Sequence, residues 1–188
     1  MRVVNIGICG LGTVGSGVYN VISRNLAAIN ARANCEIKIA QIGCRRDNPD
    51  CALSTTPVTR DIFEVAKNPD INVVVELIGG TTTAYKLVMT ALENGKHVVT
   101  ANKALIAEHG MEIFSEAESR GLMVCYEAAV AGGIPIIKSL REGLSGNRVN
   151  WLAGIINGTT NFILSEMDTK GRNFNDVLIE AQEKGYAE

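Results

Sequence analysis

The sequence predicts an α/β fold: a doubly wound parallel sheet followed by the start of a smaller α+β domain. Over the first two-thirds of the chain, apolar β-branched runs of strand length alternate with segments of helical spacing. Several of these runs are apolar on both faces, as in a parallel sheet that is covered by helices. After Pro135 the alternation stops. We therefore expect a sheet domain over residues 1–133 and a partial second domain over residues 134–188.

Five strands are expected in the first domain, most of them rich in Val or Ile. In chain order they are "RVVNIGIC", "EIKIAQIGC", "INVVVELI", "KHVVTA" and "LMVCYEA". The segments between them have helical spacing. These helices are "SGVYNVISRNLAAI", "DIFEVAKN" with Asp61 as N-cap, "TTAYKLVMTALENG" ending at Gly95, and "KALIAEHGMEIFSEAESRG", broken near Gly110 and closed by Gly121.

The segment after Pro135 has a different pattern. It reads as the helix "IPIIKSLREGL", the strand "NRVNWLAGIING", and the helices "TTNFILSEMDTKG" and "FNDVLIEAQEKG". Three short helices and one strand make a poor independent core. We therefore expect the chain to be a truncated part of a longer protein.

Composition excludes several classes of function. With 46% hydrophobic and 20% charged residues, the chain can bury a core and is not intrinsically disordered. A net charge of −2 gives no electrostatic basis for binding nucleic acid or an anionic membrane. The apolar runs are of strand length, too short to cross a bilayer, and the N-terminus carries no signal-peptide pattern.

The cysteines and histidines indicate neither disulfides nor a metal cluster. Five cysteines are scattered without a CxxC spacing. An odd number of cysteines without a signal peptide is typical of reduced thiols, so we expect a cytoplasmic protein. His97 and His109 are too far apart in sequence to indicate a zinc site.

The segment "GLGTVG" follows the first strand and opens the first helix. Gly10 permits a tight turn, Gly12 lets a pyrophosphate approach the backbone, and Gly15 lets the helix pack close to the sheet. Together with Thr13 and Val14, these glycines predict a Rossmann-type dinucleotide site at the helix N-terminus. The alternative is a tight turn that binds no ligand.

The end of the second strand favours NADP over NAD. Its first polar residues are Arg45 and Arg46, and Asp47 comes later. An arginine at this place accepts a 2′-phosphate, whereas an acidic residue binds the ribose 2′-hydroxyl of NAD. The alternative is that both arginines are solvated loop residues.

Polar and glycine residues follow the third and fourth strands. Because ligands bind beyond the carboxyl ends of strands in such sheets, we expect the cofactor beside Gly79, Gly80, Thr100, Asn102 and Lys103. Lys103 is a cation near the positive end of a helix dipole, which is unfavourable unless an anionic or carbonyl group lies nearby. The alternative is an ordinary lysine in a first helical turn.

The motifs taken in order resemble one family, homoserine dehydrogenase. The stretches that carry the resemblance are "GICGLGTVGSGV", "ELIGGTTTAYKLVMTALENGKHVVTANKALIA", "YEAAVAGGIPIIKSLREGL", "NGTTNFIL" and "EKGYAE". The resemblance implies NAD(P)H-dependent reduction of L-aspartate 4-semialdehyde to L-homoserine, in threonine, methionine and isoleucine biosynthesis. It also implies that the full-length protein is a homodimer whose second domain carries substrate and dimer contacts.

The resemblance assigns roles to residues at matching positions. It places Lys103 between nicotinamide and substrate as the catalytic residue of this chain, and Gly185 beside the cofactor. It implies that four further residues lie at the substrate, Glu188 being the partner of its amino group: Gly158, Thr159, Tyr186 and Glu188.

A sodium ion is also implied by the resemblance. Its ligands would be the main-chain carbonyls of Glu127, Val130, Gly132 and Ile134. The residues themselves are compatible with this role, because small side chains leave the carbonyls uncrowded and carbonyl oxygens suit a hard cation. From the residues alone, the alternative is an interdomain hinge whose glycines provide flexibility.

The chain departs from the family pattern at its C-terminus. The family continues into a substrate-binding aspartate and a catalytic lysine, both beyond Glu188. We therefore expect this fragment to bind NADPH but to be inactive. Two other classes remain open: another Rossmann-fold amino-acid or semialdehyde dehydrogenase, for which Cys125 would be the thiol nucleophile, and a nucleotide-sensing module.

Overall fold

The computed structural model describes residues 2–49, 51, 53, 55–155 and 157–186. The chain divides into two compact units, Met1–Arg141 and Glu142–Glu188. The division falls after Arg141, so residues 134–141 belong to the first unit. The predicted domain boundary between residues 133 and 134 stays a prediction.

The first unit is built on a parallel six-stranded sheet with the strand order β3-β2-β1-β4-β5-β6. Its strands are β1 (Val3–Cys9), β2 (Glu36–Gly43), β3 (Val58–Thr59), β4 (Val73–Glu76), β5 (His97–Thr100) and β6 (Val124–Cys125). The predicted α/β class is confirmed. The sheet has one strand more than expected. The additional strand is β3, which is only two residues long and gives no periodic signal in the sequence. The strand β6 is shorter than its predicted run.

Four helices connect strands of this sheet, and a short fifth helix follows β6. They are α1 (Thr13–Ala33), α2 (Ile62–Lys67), α3 (Thr82–Glu93), α4 (Lys103–Ser119) and the short α5 (Ile136–Lys138), which continues into a π-helical turn over Ser139–Gly143. The Asp61 carboxylate caps α2 as predicted, accepting a hydrogen bond from the Phe63 N–H at 2.9 Å. Gly95 and Gly121 follow α3 and α4 with φ angles of 72° and 64°, in the left-handed conformation of helix ends.

Alternate residues of the strands enter two apolar clusters. Ile8 and Val75 belong to the cluster that contains Tyr19 of α1. Cys9 and Val74 belong to the cluster that contains the buried residues of α2, α3 and α4. Because successive side chains of a strand point to opposite faces, the sheet is covered on both sides.

The expected break of the fourth helix near Gly110 is wrong, since α4 runs without interruption from Lys103 to Ser119. Gly110 is buried, and a Cβ added there would lie 3.4 Å from the Phe114 ring. A mid-helix glycine costs about 1 kcal/mol relative to alanine. The burial of Leu105 and Ile113 on the same helix outweighs that preference.

The second unit contains α6 (Gly158–Lys170) and α7 (Phe174–Glu183). Its buried core consists of Ile163, Val177 and Ala181. The strand expected over "NRVNWLAGIING" is wrong, because residues 147–155 are described without regular secondary structure. A strand requires a partner for its backbone hydrogen bonds, and within the described residues no sheet lies in this unit. No helix in the described parts of the chain is long and apolar enough to span a membrane.

Candidate active site

The carboxyl ends of the strands form a crevice at the centre of the sheet. From β1 the chain proceeds to β2 on one side, and from β4 to β5 on the other, so β1 and β4 flank the topological switch point. A cleft of about 840 Å³ opens there. The residues that line it include Gly10, Leu11, Gly12, Arg45, Arg46 and Gly79.

Gly10 and Gly12 build the floor of this cleft. Gly10 has a φ of +102°, and a Cβ there would lie 2.4 Å from the Leu77 carbonyl oxygen. Only glycine fits such a turn. Gly12 is the N-cap of α1, and a Cβ there would meet no atom within 4 Å. The space above Gly12 is therefore open for a ligand at the N-terminus of the helix.

The third glycine of the loop closes it. A Cβ on Gly15 would lie 2.0 Å from the Gly10 carbonyl oxygen and 3.9 Å from the nearest Leu77 side-chain atom. Gly15 therefore lets the start of α1 lie directly against the Gly10 backbone. This contact is closer than the contact between helix and sheet that the sequence predicts for Gly15. Thr13 and Val14, in the first turn of α1, are exposed.

The loop after β2 forms another wall of the cleft. Arg45 and Arg46 are both exposed and both line it. The Asp47 carboxylate is held instead by Arg60, whose Nη2 lies 2.9 Å from Oδ1 and 3.0 Å from Oδ2. Two cations therefore face the cleft beside a carboxylate that already has a cationic partner.

A buried carboxylate, Glu76, lies at the end of β4 and was missed in the sequence. It is 0% exposed and stands in register with Cys9 of β1 and Thr100 of β5. Its Oε1 accepts the Ile78 N–H at 2.9 Å, and its Oε2 accepts the Thr100 hydroxyl at 2.5 Å. The run "VVVE" was the only available signal, a carboxylate ending a strand that is otherwise apolar on both faces.

Thr100 and Asn102 extend this network to the start of α4. The Thr100 hydroxyl accepts the Asn102 N–H at 3.0 Å. The Asn102 side chain accepts the Leu105 N–H at 3.1 Å, as the N-cap of α4, and donates to the Gly80 carbonyl at 2.6 Å. Thr100 and Asn102 are 1% and 9% exposed, and both form hydrogen bonds within the protein. Contact of either residue with the cofactor stays a prediction.

Lys103 is the first residue of α4 and is exposed. Lys103 directly follows the N-cap residue Asn102. The hydrogen bonds that hold Asn102 therefore also fix the position of the Lys103 backbone. Gly79 and Gly80 lie at the neighbouring strand end with φ angles of 72° and 68°. The structure therefore brings Lys103 and the two glycines to the same edge of the sheet, as predicted.

The thiol beside Glu76 is not a nucleophile. Cys9 is 0% exposed, and burial, together with the negative charge of Glu76, raises the pKa of its thiol to about 12. A thiol with such a pKa stays protonated near neutral pH and is inert.

The predicted carbonyl segment folds as a tight loop. The 3₁₀ turn Glu127–Ala129 is followed by Ala131 and Gly132 with φ angles of 55° and 57°. The Glu127 carboxylate accepts the N–H groups of Ile137 and Lys138, each at 2.9 Å. The side chain of Glu127, which sequence reasoning had assigned little role, thus joins the two ends of the loop.

Two of the four predicted carbonyls accept a main-chain hydrogen bond. The Glu127 carbonyl accepts the Val130 N–H at 3.1 Å, and the Ile134 carbonyl accepts the Ile136 N–H at 2.8 Å. Each oxygen keeps a second lone pair. The four carbonyl oxygens therefore remain chemically suited to bind a hard cation.

The remaining predicted residues lie in the second unit. Gly158 is the first residue of α6, and the hydroxyl of Thr159 donates to the Tyr186 carbonyl. The Tyr186 ring packs edge-on against Phe162 at 5.3 Å. Gly185, with a φ of +69°, follows α7. Glu188 lies outside the described residues.

The sheet, the glycine loop and the cleft at the switch point define a Rossmann-type dinucleotide-binding domain. The family model "Homoserine dehydrogenase, NAD binding domain" matches residues 10–127, and the model "Homoserine dehydrogenase" matches residues 135–188. The chain belongs to the homoserine dehydrogenase family.

Individual relatives agree with this assignment. Homoserine dehydrogenases of Pseudomonas aeruginosa and Neisseria gonorrhoeae are 66% and 53% identical to the whole chain, which spans 43% of each relative's length. The crystal structure of a Thiobacillus denitrificans homoserine dehydrogenase matches all of the chain, and 44% of its own, at 56% identity and a TM-score of 0.89. A hyperthermophilic archaeal homoserine dehydrogenase in complex with NADPH matches 98% of this chain and 62% of its own, at 26% identity and a TM-score of 0.80.

Proposed function

We propose that this chain forms the nucleotide-binding part of a homoserine dehydrogenase, an enzyme that interconverts L-aspartate 4-semialdehyde and L-homoserine with a nicotinamide cofactor. The observation that carries the proposal is the switch-point cleft, with Gly12 open at the N-terminus of α1 and an exposed lysine at the neighbouring strand end. Family membership supports the choice of substrate.

The proposed mechanism assigns distinct tasks to these groups. The N–H groups at the start of α1 would bind the pyrophosphate of the cofactor beside Gly12. The cofactor supplies the hydride. Reduction of the aldehyde places negative charge on its carbonyl oxygen, and the Lys103 ammonium would stabilise that charge until the oxygen takes up a proton to become the hydroxyl group.

We propose NADP as the preferred cofactor. Arg45 and Arg46 line the cleft, and the Asp47 carboxylate, which would otherwise compete for a ribose hydroxyl, is bound by Arg60. The archaeal relative that was crystallised with NADPH supports this choice. NAD binding through the same glycine loop remains the competing assignment, and the titration of Arg45→Ala described in the Discussion separates the two.

We further propose that the four carbonyls of Glu127, Val130, Gly132 and Ile134 hold a sodium ion. The left-handed turn at Ala131 and Gly132 supports this role, because it turns the chain without bulky side chains in the way. Thermal unfolding of the chain in sodium chloride and in potassium chloride at equal ionic strength tests the proposal. We expect a higher Tm in sodium, and equal values in both salts would count against the site.

For the whole protein we propose a homodimer that works in the cytoplasm. All five cysteines are free thiols, in keeping with a reducing compartment. Gly158, Thr159, Tyr186 and Glu188 are proposed substrate residues, and Gly185 is a proposed cofactor contact.

The proposed activity is tested with the complete natural protein. Purified enzyme is mixed with NADP⁺ or NAD⁺ and L-homoserine, and the appearance of reduced nicotinamide is followed. We expect oxidation of L-homoserine and none of L-serine or L-threonine, whose hydroxyl groups lie one carbon closer to the amino group. Equal rates with all three substrates, or none with homoserine, would refute the assignment.

The 188-residue chain provides a second test. It is expected to bind NADPH, measured as a change in nicotinamide fluorescence, without reducing aspartate 4-semialdehyde. Clear turnover by the purified chain would show that its own residues suffice for the reaction.

A further inference from the structure

Glu76 is an unusual residue for the centre of a sheet. It is 0% exposed, and among the residues that the structure describes no lysine or arginine forms an ion pair with it. Burying a carboxylate without a cation is costly, and an apolar side chain of the same size would serve the core better. Packing alone therefore does not account for it.

Hydrogen bonds and helix ends compensate the buried charge. Both carboxylate oxygens have donors, the Ile78 N–H and the Thr100 hydroxyl. Glu76 also lies at the end of the sheet where α1, α3 and α4 begin, and the positive ends of helix dipoles favour an anion there. The carboxylate is thus stable in place, and its two hydrogen bonds are of the strong, charge-assisted kind.

These two bonds tie together the loops on either side. Through Ile78, Glu76 fixes the chain that leads to Gly79 and Gly80 at the cleft. Through Thr100, it fixes the turn that ends at Asn102, since the Thr100 hydroxyl donates to the carboxylate and accepts the Asn102 N–H. The Asn102 side chain then links the two loops by its bond to the Gly80 carbonyl.

We propose that Glu76 is a positioning residue for hydride transfer, which sets the location of Lys103 through the Thr100 hydroxyl and the Asn102 cap. The inference rests on the proposed function, because it takes Lys103 as the group that faces the reacting carbonyl. Each link is a hydrogen bond of 2.5 to 3.1 Å between groups that are at most 9% exposed. Because Glu76 is 0% exposed, it acts through these links.

The chemistry of glutamine makes Glu76→Gln the sharpest change. The substitution keeps the shape of the side chain but leaves one amide oxygen where two carboxylate oxygens accept hydrogen bonds. Either the Ile78 N–H or the Thr100 hydroxyl must then reorient. Thr100→Val breaks the next link, since it removes the hydroxyl and leaves the Asn102 N–H without its acceptor.

The test measures both variants in the complete natural protein, each alone and combined with Lys103→Ala. In the wild-type background we expect Glu76→Gln and Thr100→Val to lower kcat for semialdehyde reduction by roughly tenfold, the scale of a small misplacement of a catalytic group. In the Lys103→Ala background we expect less than about a twofold further loss, because the group being positioned is already gone.

A matched core variant controls for stability. Ile113→Val shortens a side chain that is 0% exposed in the same helix as Lys103 and should lower Tm without changing kcat. Thr100→Val decides the inference if Glu76→Gln is recovered only as aggregate. The same fractional loss of kcat with and without Lys103, or no loss in either variant, would overturn the inference alone. A Lys103→Ala protein that keeps wild-type kcat would overturn the proposed role of the lysine itself.

Discussion

In the first unit, the residues at the carboxyl edge of the sheet are fixed by almost fully buried side chains, whereas Gly158, Thr159 and Tyr186 of the second unit lie at or just past the ends of helices. Glu76, Thr100 and Asn102 are 0%, 1% and 9% exposed. Tyr186, by contrast, is 54% exposed, and the Thr159 hydroxyl bonds to its backbone carbonyl. The glycine-lined cleft is therefore shaped by the core of its own unit, whereas Thr159 and Tyr186 are held by few local contacts.

The difference follows from how much apolar surface each unit buries. The first unit has two clusters, one on each face of the sheet, whereas the second buries Ile163, Val177 and Ala181. Large apolar side chains such as Trp151 and Ile155 remain 81% and 78% exposed there. The second unit also carries ion pairs of Glu166 and Glu180 with Lys170, Arg172 and Lys184. We therefore expect the two units to respond differently to mutation and to pH.

The largest effect is expected from breaking the glycine loop of the first unit. Gly15→Ala places a Cβ 2.0 Å from the Gly10 carbonyl oxygen, so we expect both Tm and NADPH affinity to fall, with affinity lowered about 100-fold or more. Calorimetric titration and thermal melting of the 188-residue chain measure these changes.

Gly12→Ala separates binding from folding in the same loop. Its Cβ meets no protein atom within 4 Å, so we expect an unchanged Tm but an NADPH affinity at least roughly tenfold weaker, because the methyl group occupies the space left for the pyrophosphate. Wild-type affinity in this variant would show that the pyrophosphate lies elsewhere.

A smaller effect is expected at the wall of the cleft. Arg45→Ala should weaken NADPH binding about tenfold by removing a charge-assisted bond to the 2′-phosphate, and should leave NADH binding unchanged. Parallel fluorescence titrations with the two nucleotides measure the difference. Arg32→Ala, at the last turn of α1, is the control. Equal weakening for both nucleotides would mean that Arg45 does not read the 2′-phosphate.

In the second unit, the single tryptophan of the chain reports on the exposed apolar surface. Because Trp151 is 81% exposed, the 188-residue chain should show the emission of an indole in water and be quenched readily by acrylamide. Unfolding in denaturant should then shift the emission little. A blue-shifted and shielded emission in the native chain would contradict the contrast between the units.

The smallest expected effect is the acid sensitivity of the second unit. Hydrogen bonds from Lys184 and Arg172 lower the pKa of Glu180 from 4.5 to about 2. Because the folded-state pKa is depressed, the stabilisation is fully present above about pH 4.5 and is lost as the pH falls through about 2. Amide hydrogen exchange of α7 across this range measures it.

Two variants on α7 isolate the source of that sensitivity. Glu180→Gln removes the titrating group and should flatten the pH dependence, whereas Glu183→Gln on the same helix should leave it unchanged. An identical acid response in wild type and Glu180→Gln would exclude this carboxylate as its cause.

Sequence reasoning succeeded where local chemistry determines structure. The glycine loop, the Asp61 cap and the strands of the parallel sheet each depend on residues close together in the chain. The start of a helix at Lys103 was predicted correctly, because the strand ending at Thr100 and the apolar run "ALIA" lie close on either side of it.

It failed where the outcome depends on residues distant in sequence. The role of Glu76 arises from its register with Thr100, which only the assembled sheet provides. Residues 147–155 have the composition of a strand but no partner strand among the described residues. Gly110 stays helical because tertiary packing overrides its intrinsic preference.

The most direct test of the account is Lys103→Ala in the complete natural protein, compared with Lys67→Ala at the end of α2. If Lys103 stabilises the charge that develops on the carbonyl oxygen, kcat/KM for aspartate 4-semialdehyde should fall by roughly 100-fold or more, and Lys67→Ala should leave it unchanged. A loss of less than about threefold for Lys103→Ala would remove this lysine from the active site and contradict the account.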